Sequence, residues 1–136
     1  MIFTIKIDGK PVEFSNALSW QFKYKSQFKE DPTDFIIDAL EATAKVDGQG
    51  EDAESKAYLS AIKVIKIGRL ANMAWAMAKA ANNGIPAPPV WQAQFNNFPI
   101  LEIGIECLAY AIEGLTGDSE PKNADAPESS ETPANG

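Results

Sequence analysis

The sequence contains no histidine and one cysteine, Cys107. Without histidine the chain cannot build Ser-His-Asp or Cys-His nucleophilic machinery, an HExxH zinc site or a di-metal site of histidines and carboxylates. With one cysteine it cannot form an intramolecular disulfide or a CxxC metal knuckle, and a lone thiol is typical of a reducing compartment. We therefore expect a non-enzymatic protein with no catalytic residues, no metal and no cofactor.

Basic residues are scarce, since 12 Lys and Arg stand against 19 Asp and Glu, which gives a formal net charge of -7. Nucleic-acid binding draws most of its affinity from Lys and Arg that neutralise phosphates, so we expect no nucleic-acid partner. Lys23, Lys25 and Lys29 do interleave with aromatic residues, as in proteins that bind single strands. Glu30 and Asp31 follow at once, which favours a polar helix flank.

Long apolar runs are also missing. The most apolar stretch, from Leu70 to Ala81, includes Asn72 and Lys79 and is well short of the roughly 20 apolar residues that a membrane span needs. The N-terminal residues do not have the basic and apolar regions of a signal peptide. We expect no membrane partner and a cytoplasmic location.

Residues 117–136 differ in composition from the rest, because they contain no aromatic and no branched aliphatic residue. Ordering twenty residues costs about 30 kcal/mol of conformational entropy, at about 1.5 kcal/mol per residue. The segment has too few apolar groups for their burial to offset this cost. We therefore predict one helical domain over residues 1–116 and a disordered acidic tail over 117–136. The tail carries a net charge of -4 from five acidic residues and one lysine: Asp118, Glu120, Asp125, Glu128, Glu131 and Lys122.

Residues 2–14 carry the pattern of a β-hairpin. Phe3, Ile5 and Ile7 alternate with polar residues, and Asp8-Gly9 supplies a turn that tolerates positive φ. Pro11 follows the turn, which indicates that the second strand is an edge strand.

Residues 15–30 fit two patterns. Strict alternation from Leu18 to Tyr24 is typical of a strand, whereas the length, a cap at Ser15 or Asn16 and the stop at Asp31-Pro32 favour a helix. On a helix the apolar residues cover an arc about 200° wide, which is more than one helix needs to dock on its own core. We expect a helix with surplus aromatic surface, and call this surface the aromatic arc.

The remaining chain predicts further helices, so the expected fold class is mainly α with a small N-terminal β-hairpin. Asp31 caps a short helix that ends near Ala44, before a flexible loop at Asp47–Gly50. The other predicted elements are one long helix from about Ala53 to Asn82, a proline-rich connector from Gly84 to Pro99 with a helical turn at Trp91–Phe95, and a last helix from Ile100 to Leu115 with Leu101, Ile105, Leu108, Ile112 and Leu115 inward.

Several clusters have a structural interpretation that outweighs a functional one. The acidic stripes Asp34/Asp38/Glu41 and Glu102/Glu106/Glu113 predict solvated helix faces rather than a cation site, because acidic residues are mostly exposed. Met73, Trp75, Met77 and Cys107 are expected in the core. For Trp91, Phe95 and Phe98, a lid over the core and an exposed anchor remain equally good interpretations.

Trp20, Tyr24 and Phe28 form a W-x3-Y-x3-F motif, followed by Asp31-Pro32. Further along are a W-A-M-A-K-A run at residues 75–80 and a segment at 85–99 that combines Ile85-Pro86, a proline at 88 or 89, Trp91, Phe95 and Phe98-Pro99. With the opening I-x-I-D-G-K at residues 5–10, this order of motifs resembles the tail assembly chaperones of siphophages and prophages of Gram-positive bacteria. The resemblance covers residues 1–115. It departs from the family at Ala87-Pro88-Pro89, where an acidic pair often follows the first proline.

The resemblance implies a non-catalytic helical protein that binds and solubilises the tape measure protein before the tail tube protein polymerises around it. It also implies action in the host cytoplasm, absence from the mature virion, homo-oligomers and a longer frameshifted form of the same body. An alternative function is a structural tail-completion or neck component of the particle, and a small enzyme that uses carboxylates alone is a third. We expect partner contacts from seven aromatic residues: Trp20, Tyr24, Phe28, Trp75, Trp91, Phe95 and Phe98.

Overall fold

The structure, a computed structural model, describes residues 1–46 and 52–117. Over those residues the chain forms a two-stranded antiparallel sheet and six helices, so the expected fold class is confirmed. The predicted loop at 47–50 lies outside the described residues, as does the predicted tail apart from Gly117. In chain order the elements are β1 (Ile2–Ile7), β2 (Lys10–Ser15), α1 (Ser19–Phe28), α2 (Pro32–Ala44), α3 (Ala53–Ile65), α4 (Ile67–Ala81), α5 (Pro88–Ala93) and α6 (Ile100–Thr116).

The hairpin forms as the sequence predicts. Asp8 and Gly9 have φ of 57° and 74°, the two positive values that a two-residue turn between twisted strands requires. Ile7 pairs with Lys10, and Lys6 pairs with Pro11. Since bonded and non-bonded pairs alternate from the turn, Pro11 falls at a non-hydrogen-bonded position and its missing N–H leaves the ladder intact.

Of the two patterns that residues 15–30 fit, the helix is confirmed, but α1 spans only Ser19–Phe28 and neither predicted cap is used. The N-cap is Leu18, with no side-chain hydrogen bond. The Asn16 side chain instead accepts a hydrogen bond from the Met1 amino group and donates one to the Tyr110 carbonyl, both at 2.9 Å. Asn16 therefore ties the N-terminus to α6, and this long-range role displaces the local one.

The beginning of α2 follows the sequence prediction closely. Asp31 has extended backbone, its carboxylate accepts a hydrogen bond from the Thr33 N–H at 3.0 Å, and Pro32 occupies the first helical turn. This hydrogen bond lowers the pKa of Asp31. α2 and α3 then run alongside each other as a helical hairpin.

The predicted single helix over residues 53–82 is wrong, because the structure breaks it into α3 and α4 at Lys66. Lys66 has φ 78° and ψ 149°, far from helical values. Ile65 and Leu70 are both fully buried, yet five residues of one straight helix would point them about 140° apart. The break lets both side chains reach the core.

α4 is the centre of the molecule and contacts β2, α1 and α6. Met73, Trp75, Met77 and Cys107 are buried, as predicted. Leu101 and Leu115 were expected inward but are 45% and 37% exposed. The buried residues Ile103, Cys107 and Ala111 lie on one face of α6, and Leu101 points about 80° or more away from each of them. The apolar residues buried on α4 are Leu70, Met73, Ala74, Trp75, Ala76, Met77 and Ala78.

Candidate partner-binding groove

The aromatic arc of α1 is used mostly inside the protein. Trp20 and Tyr24 are 1% and 0% exposed, and Phe28 is half-buried. Because i, i+4 and i+8 share one helix face, the three rings form a continuous ridge. That ridge packs between α4 and α2: the Phe28 ring centroid lies 5.7 Å from that of Trp75, and the Tyr24 centroid lies 5.5 Å from that of Phe35.

The hydroxyl of Tyr24, the polar group of this ridge, takes part in a hydrogen-bond network that the sequence did not predict. The Tyr24 hydroxyl donates to Glu30 Oε2 at 2.7 Å, and Arg69 donates to both Glu30 oxygens at 3.0 and 3.2 Å. Burial, and then the hydrogen bond to Glu30, raise the pKa of Tyr24 well above 10.0. The Tyr24 hydroxyl, followed by Arg69, lowers the pKa of Glu30. Arg69 also lies 5.4 Å from the Phe35 ring centroid, so the network closes the junction of α1, α2 and α4.

The connector residues form a second aromatic cluster, which lies over the hairpin. Trp91 is 3% exposed, whereas Phe95 and Phe98 are partly exposed. The Trp91 ring meets Phe14, Phe95 and Phe98 edge-on, with centroids 6.4, 5.4 and 5.6 Å apart. The sequence left open whether these three residues form a lid over the core or an exposed anchor. Their geometry is that of a lid, and the outer edges of Phe95 and Phe98 remain accessible.

Hydrogen bonds from distant elements hold this connector in place. Trp75 Nε1 donates to the Pro86 carbonyl at 2.9 Å, and Lys79 Nζ donates to the Ile85 carbonyl at 2.9 Å. The Asp8 carboxylate, at the hairpin turn, accepts from the N–H groups of Asn96 and Asn97 at 2.6 and 3.0 Å. Sequence reasoning assigned Asp8 only to the turn, because nothing local shows that it also reaches a segment 88 residues away.

A groove, which we call the connector groove, opens where β2, the end of α4 and α5 meet. Its volume is about 460 Å³, within the range typical of ligand pockets. Its apolar lining includes Val12, Ile85, Trp91 and Phe95, and the exposed Glu13 also lines it. The other residues that line it are Thr4, Lys10, Pro11, Ala78, Asn82 and Gln94.

The seven aromatic residues predicted to contact a partner therefore fall into two groups. Trp20, Tyr24 and Trp75 are buried in the α1–α4 core, so in this conformation they pack the protein. Trp91 and Phe95 line the connector groove, with the partly exposed Phe98 beside Trp91. Phe28 presents part of its ring outside the α1–α4 core. Their contact with a partner remains a prediction.

Two exposed apolar residues of α1 and its cap were not singled out by the sequence. Leu18 and Phe22 are 61% and 64% exposed, and their spacing of four residues puts them on one face. They are what remains of the wide aromatic arc after Trp20 and Tyr24 are buried. The signal in the sequence was the width of the apolar arc. That width showed more apolar surface than one helix needs, but not which residues would stay exposed.

The described residues offer little else that could carry chemistry. No group of three or more Cys, Asp or Glu side chains within residues 1–46 and 52–117 is arranged to hold a metal ion. Burial raises the pKa of the Cys107 thiol far above its ordinary range, which keeps it protonated and unreactive. None of the described helices is long and apolar enough to cross a membrane.

Comparisons with protein-family models, with curated proteins and with solved structures found no match to this chain. The motifs of the sequence and the geometry of the connector groove are therefore the observations that bear on function.

Proposed function

We propose that the protein is a phage tail assembly chaperone, which binds the tape measure protein non-covalently and keeps it soluble until the tail tube protein polymerises around it. The connector groove is the observation that supports this proposal most. It is an open groove whose apolar lining includes Val12, Ile85, Trp91 and Phe95, and three of these four residues come from the 85–99 segment, which is one of those that carry the resemblance. In this proposal Trp91 and Phe95 belong to the lining that receives apolar side chains of the partner.

The size of the groove suits a weak and repeated contact. A volume of about 460 Å³ accommodates a few large side chains rather than a whole helix. A single copy then binds modestly, and subunits of the tail tube can displace it. Many copies along one long apolar partner would still keep most of its surface covered.

The charge of the chain supports the same function. Of the net charge of -7, residues 117–136 contribute -4 and residues 1–116 contribute -3. Copies of like net charge repel one another at high concentration, which opposes aggregation. A protein with exposed apolar residues such as Phe22 and Val90 requires this protection. We extend the proposal to action in the host cytoplasm, absence from the virion and a longer frameshifted form of the same body.

Co-purification with the tape measure protein encoded by the same phage or prophage tests the groove. Glu13 is exposed and lines the groove together with Lys10, and we expect Glu13→Lys to reduce the yield of the complex severalfold, because two lysines with no counter-charge cost more to desolvate when an apolar segment enters. Phe95→Ala should reduce it further by removing part of the apolar lining.

Glu106→Lys is the matched control, because it makes the same charge change at an exposed position on α6, outside the connector groove. Thermal unfolding of each variant establishes that it is folded. Equal recovery of the tape measure protein with Glu13→Lys, Phe95→Ala and Glu106→Lys would exclude the groove as its binding site.

Mass spectrometry of purified particles separates this function from that of a structural tail-completion or neck component. A chaperone is expected in lysates that contain growing tails and missing from finished particles. Stoichiometric recovery of the chain in the particle would favour the structural component.

A further inference from the structure

The edge of β1 that faces away from β2 is unpaired. In the hairpin register Ile2, Thr4 and Lys6 occupy non-hydrogen-bonded positions, so their backbone N–H and C=O groups point away from β2. Within residues 1–46 and 52–117 these groups make no hydrogen bond, and β2 is the one element whose backbone runs close beside β1. The edge therefore offers a donor and an acceptor at every second residue, about 6.8 Å apart.

Sequence features that protect a sheet edge are present on β2 and scarce on β1. Natural sheets block free edges with proline, bulges or lysine. β2 carries Pro11 on its edge, whereas β1 has no proline and pairs with β2 one residue to one residue, without a bulge. Lys6, the charged residue of β1, lies next to the turn and leaves the edge at Ile2 and Thr4 unprotected. β1 can therefore accept a further strand.

The helix beside this edge presents carboxylates. The Tyr110 ring of α6 stacks on the Phe3 ring of β1, with centroids 3.9 Å apart. Glu102, Glu106 and Glu113, which we call the acidic face of α6, lie within an arc of about 40°. That arc begins about 40° from Tyr110, on the side away from the buried residues of α6. Within the described residues none of these carboxylates takes part in an ion pair, and α6 contains no lysine or arginine.

α6 follows the hairpin along its length. Asn96 and Asn97, shortly before α6, donate hydrogen bonds to Asp8 in the turn. At the other end of the hairpin, the Asn16 side chain donates to the Tyr110 carbonyl. The acidic face of α6 therefore runs beside the free edge of β1, from the turn towards the N-terminus.

We propose that β1 accepts an additional strand from a second polypeptide, an extended segment in which every second residue is Lys or Arg and the others are uncharged. An added strand directs alternate side chains to opposite faces of the sheet. Those on the face of Phe3 meet the acidic face of α6, which favours cations there. Those on the opposite face lie beside Lys6, which disfavours further cations. Glu102 and Glu106 are about 6 Å apart along α6, close to the spacing of about 6.8 Å between alternate residues of a strand.

The backbone groups and the carboxylates have different roles in this interface. Main-chain hydrogen bonds along β1 supply affinity for any extended segment, and the acidic face of α6 selects a basic one. The partner is distinct from the tape measure protein proposed for the connector groove, so either interaction can be absent without the other.

A synthetic peptide tests strand addition to the full chain. The probe is the acetylated and amidated peptide Thr-Lys-Val-Lys-Val-Lys-Thr, and the control peptide has glutamate in place of each lysine. Titration of the isotopically labelled protein, followed by NMR, should give a dissociation constant at least about tenfold lower for the lysine peptide. Bound peptide should also slow hydrogen exchange of the Thr4 and Lys6 amides at least about fivefold, because strand addition pairs these N–H groups.

Two substitutions at one position separate backbone pairing from side-chain effects. Thr4→Pro removes the outward N–H and keeps the ladder between β1 and β2, as Pro11 does on β2. Thr4→Val keeps the N–H and controls for the side chain, which also lines the connector groove. We expect Thr4→Pro to raise the dissociation constant of the lysine peptide at least about tenfold, and Thr4→Val to change it less than about twofold.

A second pair of variants tests the acidic face of α6 without altering the strand. Glu106→Lys should weaken binding of the lysine peptide at least about fivefold. Asp38→Lys makes the same charge change at an exposed position on α2 and should leave binding unchanged. These two variants decide the matter if circular dichroism shows that Thr4→Pro does not fold.

Equal binding of the two peptides, or no binding of either, would contradict strand addition. So would a lysine peptide that binds without slowing exchange at Thr4 and Lys6, because that result indicates charge attraction alone. Slow exchange of these amides in the free protein would show that a second copy of the chain or residues 118–136 already cover the edge, and would also overturn the proposal. Equal binding by folded Thr4→Pro and Thr4→Val, or by Glu106→Lys and Asp38→Lys, would have the same consequence.

Discussion

At the scale of single residues, Glu30 joins α1 and α4 through its two carboxylate oxygens. One oxygen accepts from the Tyr24 hydroxyl and both accept from Arg69, so the carboxylate has a partner on α1 and another on α4. The pKa of Glu30 is lowered because these donors favour the charged form. The ion pair is partly exposed, with side chains 40% and 33% accessible, which keeps its contribution modest.

We predict that Glu30→Gln lowers the free energy of unfolding at pH 7 by about 1 kcal/mol, the range expected for an accessible ion pair. Because the pKa of Glu30 is lower in the folded than in the unfolded chain, this stabilisation is present above about pH 4.5 and is lost as the pH falls through the folded-state value. Urea unfolding of both proteins between neutral and acidic pH measures it. A difference that persists unchanged at low pH would show that the charge of Glu30 is not its source.

At the scale of elements, the break between α3 and α4 depends on one strained residue. Lys66 has φ 78° and ψ 149°, a region that side chains with a Cβ rarely adopt. No proline occurs in the sequence between residues 53 and 82, and the one glycine there, Gly68, lies within α4 rather than at Lys66. The break arises because α3 and α4 must each direct a buried face to the same core.

Lys66→Gly should therefore stabilise the fold by about 1 kcal/mol, since glycine adopts this backbone without strain while losing some additional entropy on folding. Lys66→Ala is the matched comparison, because it removes the same long side chain and keeps the Cβ. Thermal unfolding of the two variants measures the effect. If alanine and glycine shift the midpoint equally, backbone strain at this position is not significant.

The approach of α6 to the end of the hairpin provides a second test at this scale. A Cβ on Gly114 would lie 2.8 Å from the backbone oxygen of Asn16, closer than van der Waals contact allows. Gly114→Ala should destabilise the protein by about 1–3 kcal/mol, because α6 must move away from the residue that fixes the N-terminus. Gly68, in α4, has open space around it, so Gly68→Ala should be neutral or stabilising by up to about 1 kcal/mol. Equal effects from both substitutions would contradict the packing at Gly114.

At the scale of the whole molecule, the sequence predicted the fold class and most elements because their signals are local. Asp8-Gly9 determines the turn, Asp31-Pro32 begins α2, and the mostly apolar stretch from Leu70 to Ala81 marks the core. What could not be predicted depends on long-range contacts: Asn16 reaches Tyr110 instead of capping α1, and Asp8 reaches the connector. For the same reason, the sequence indicated a surplus of aromatic surface but not that Trp20 and Tyr24 would be buried.

Co-expression with the tape measure protein measures whether this chain keeps it soluble, as we propose. The soluble fraction of the tape measure protein is measured with the chain, without it and with the Glu13→Lys variant. We expect a large increase with the wild-type chain, a complex that co-purifies and a clear loss of both with the variant. If the tape measure protein is equally soluble in all three cases and no complex is recovered, the chain is not its chaperone.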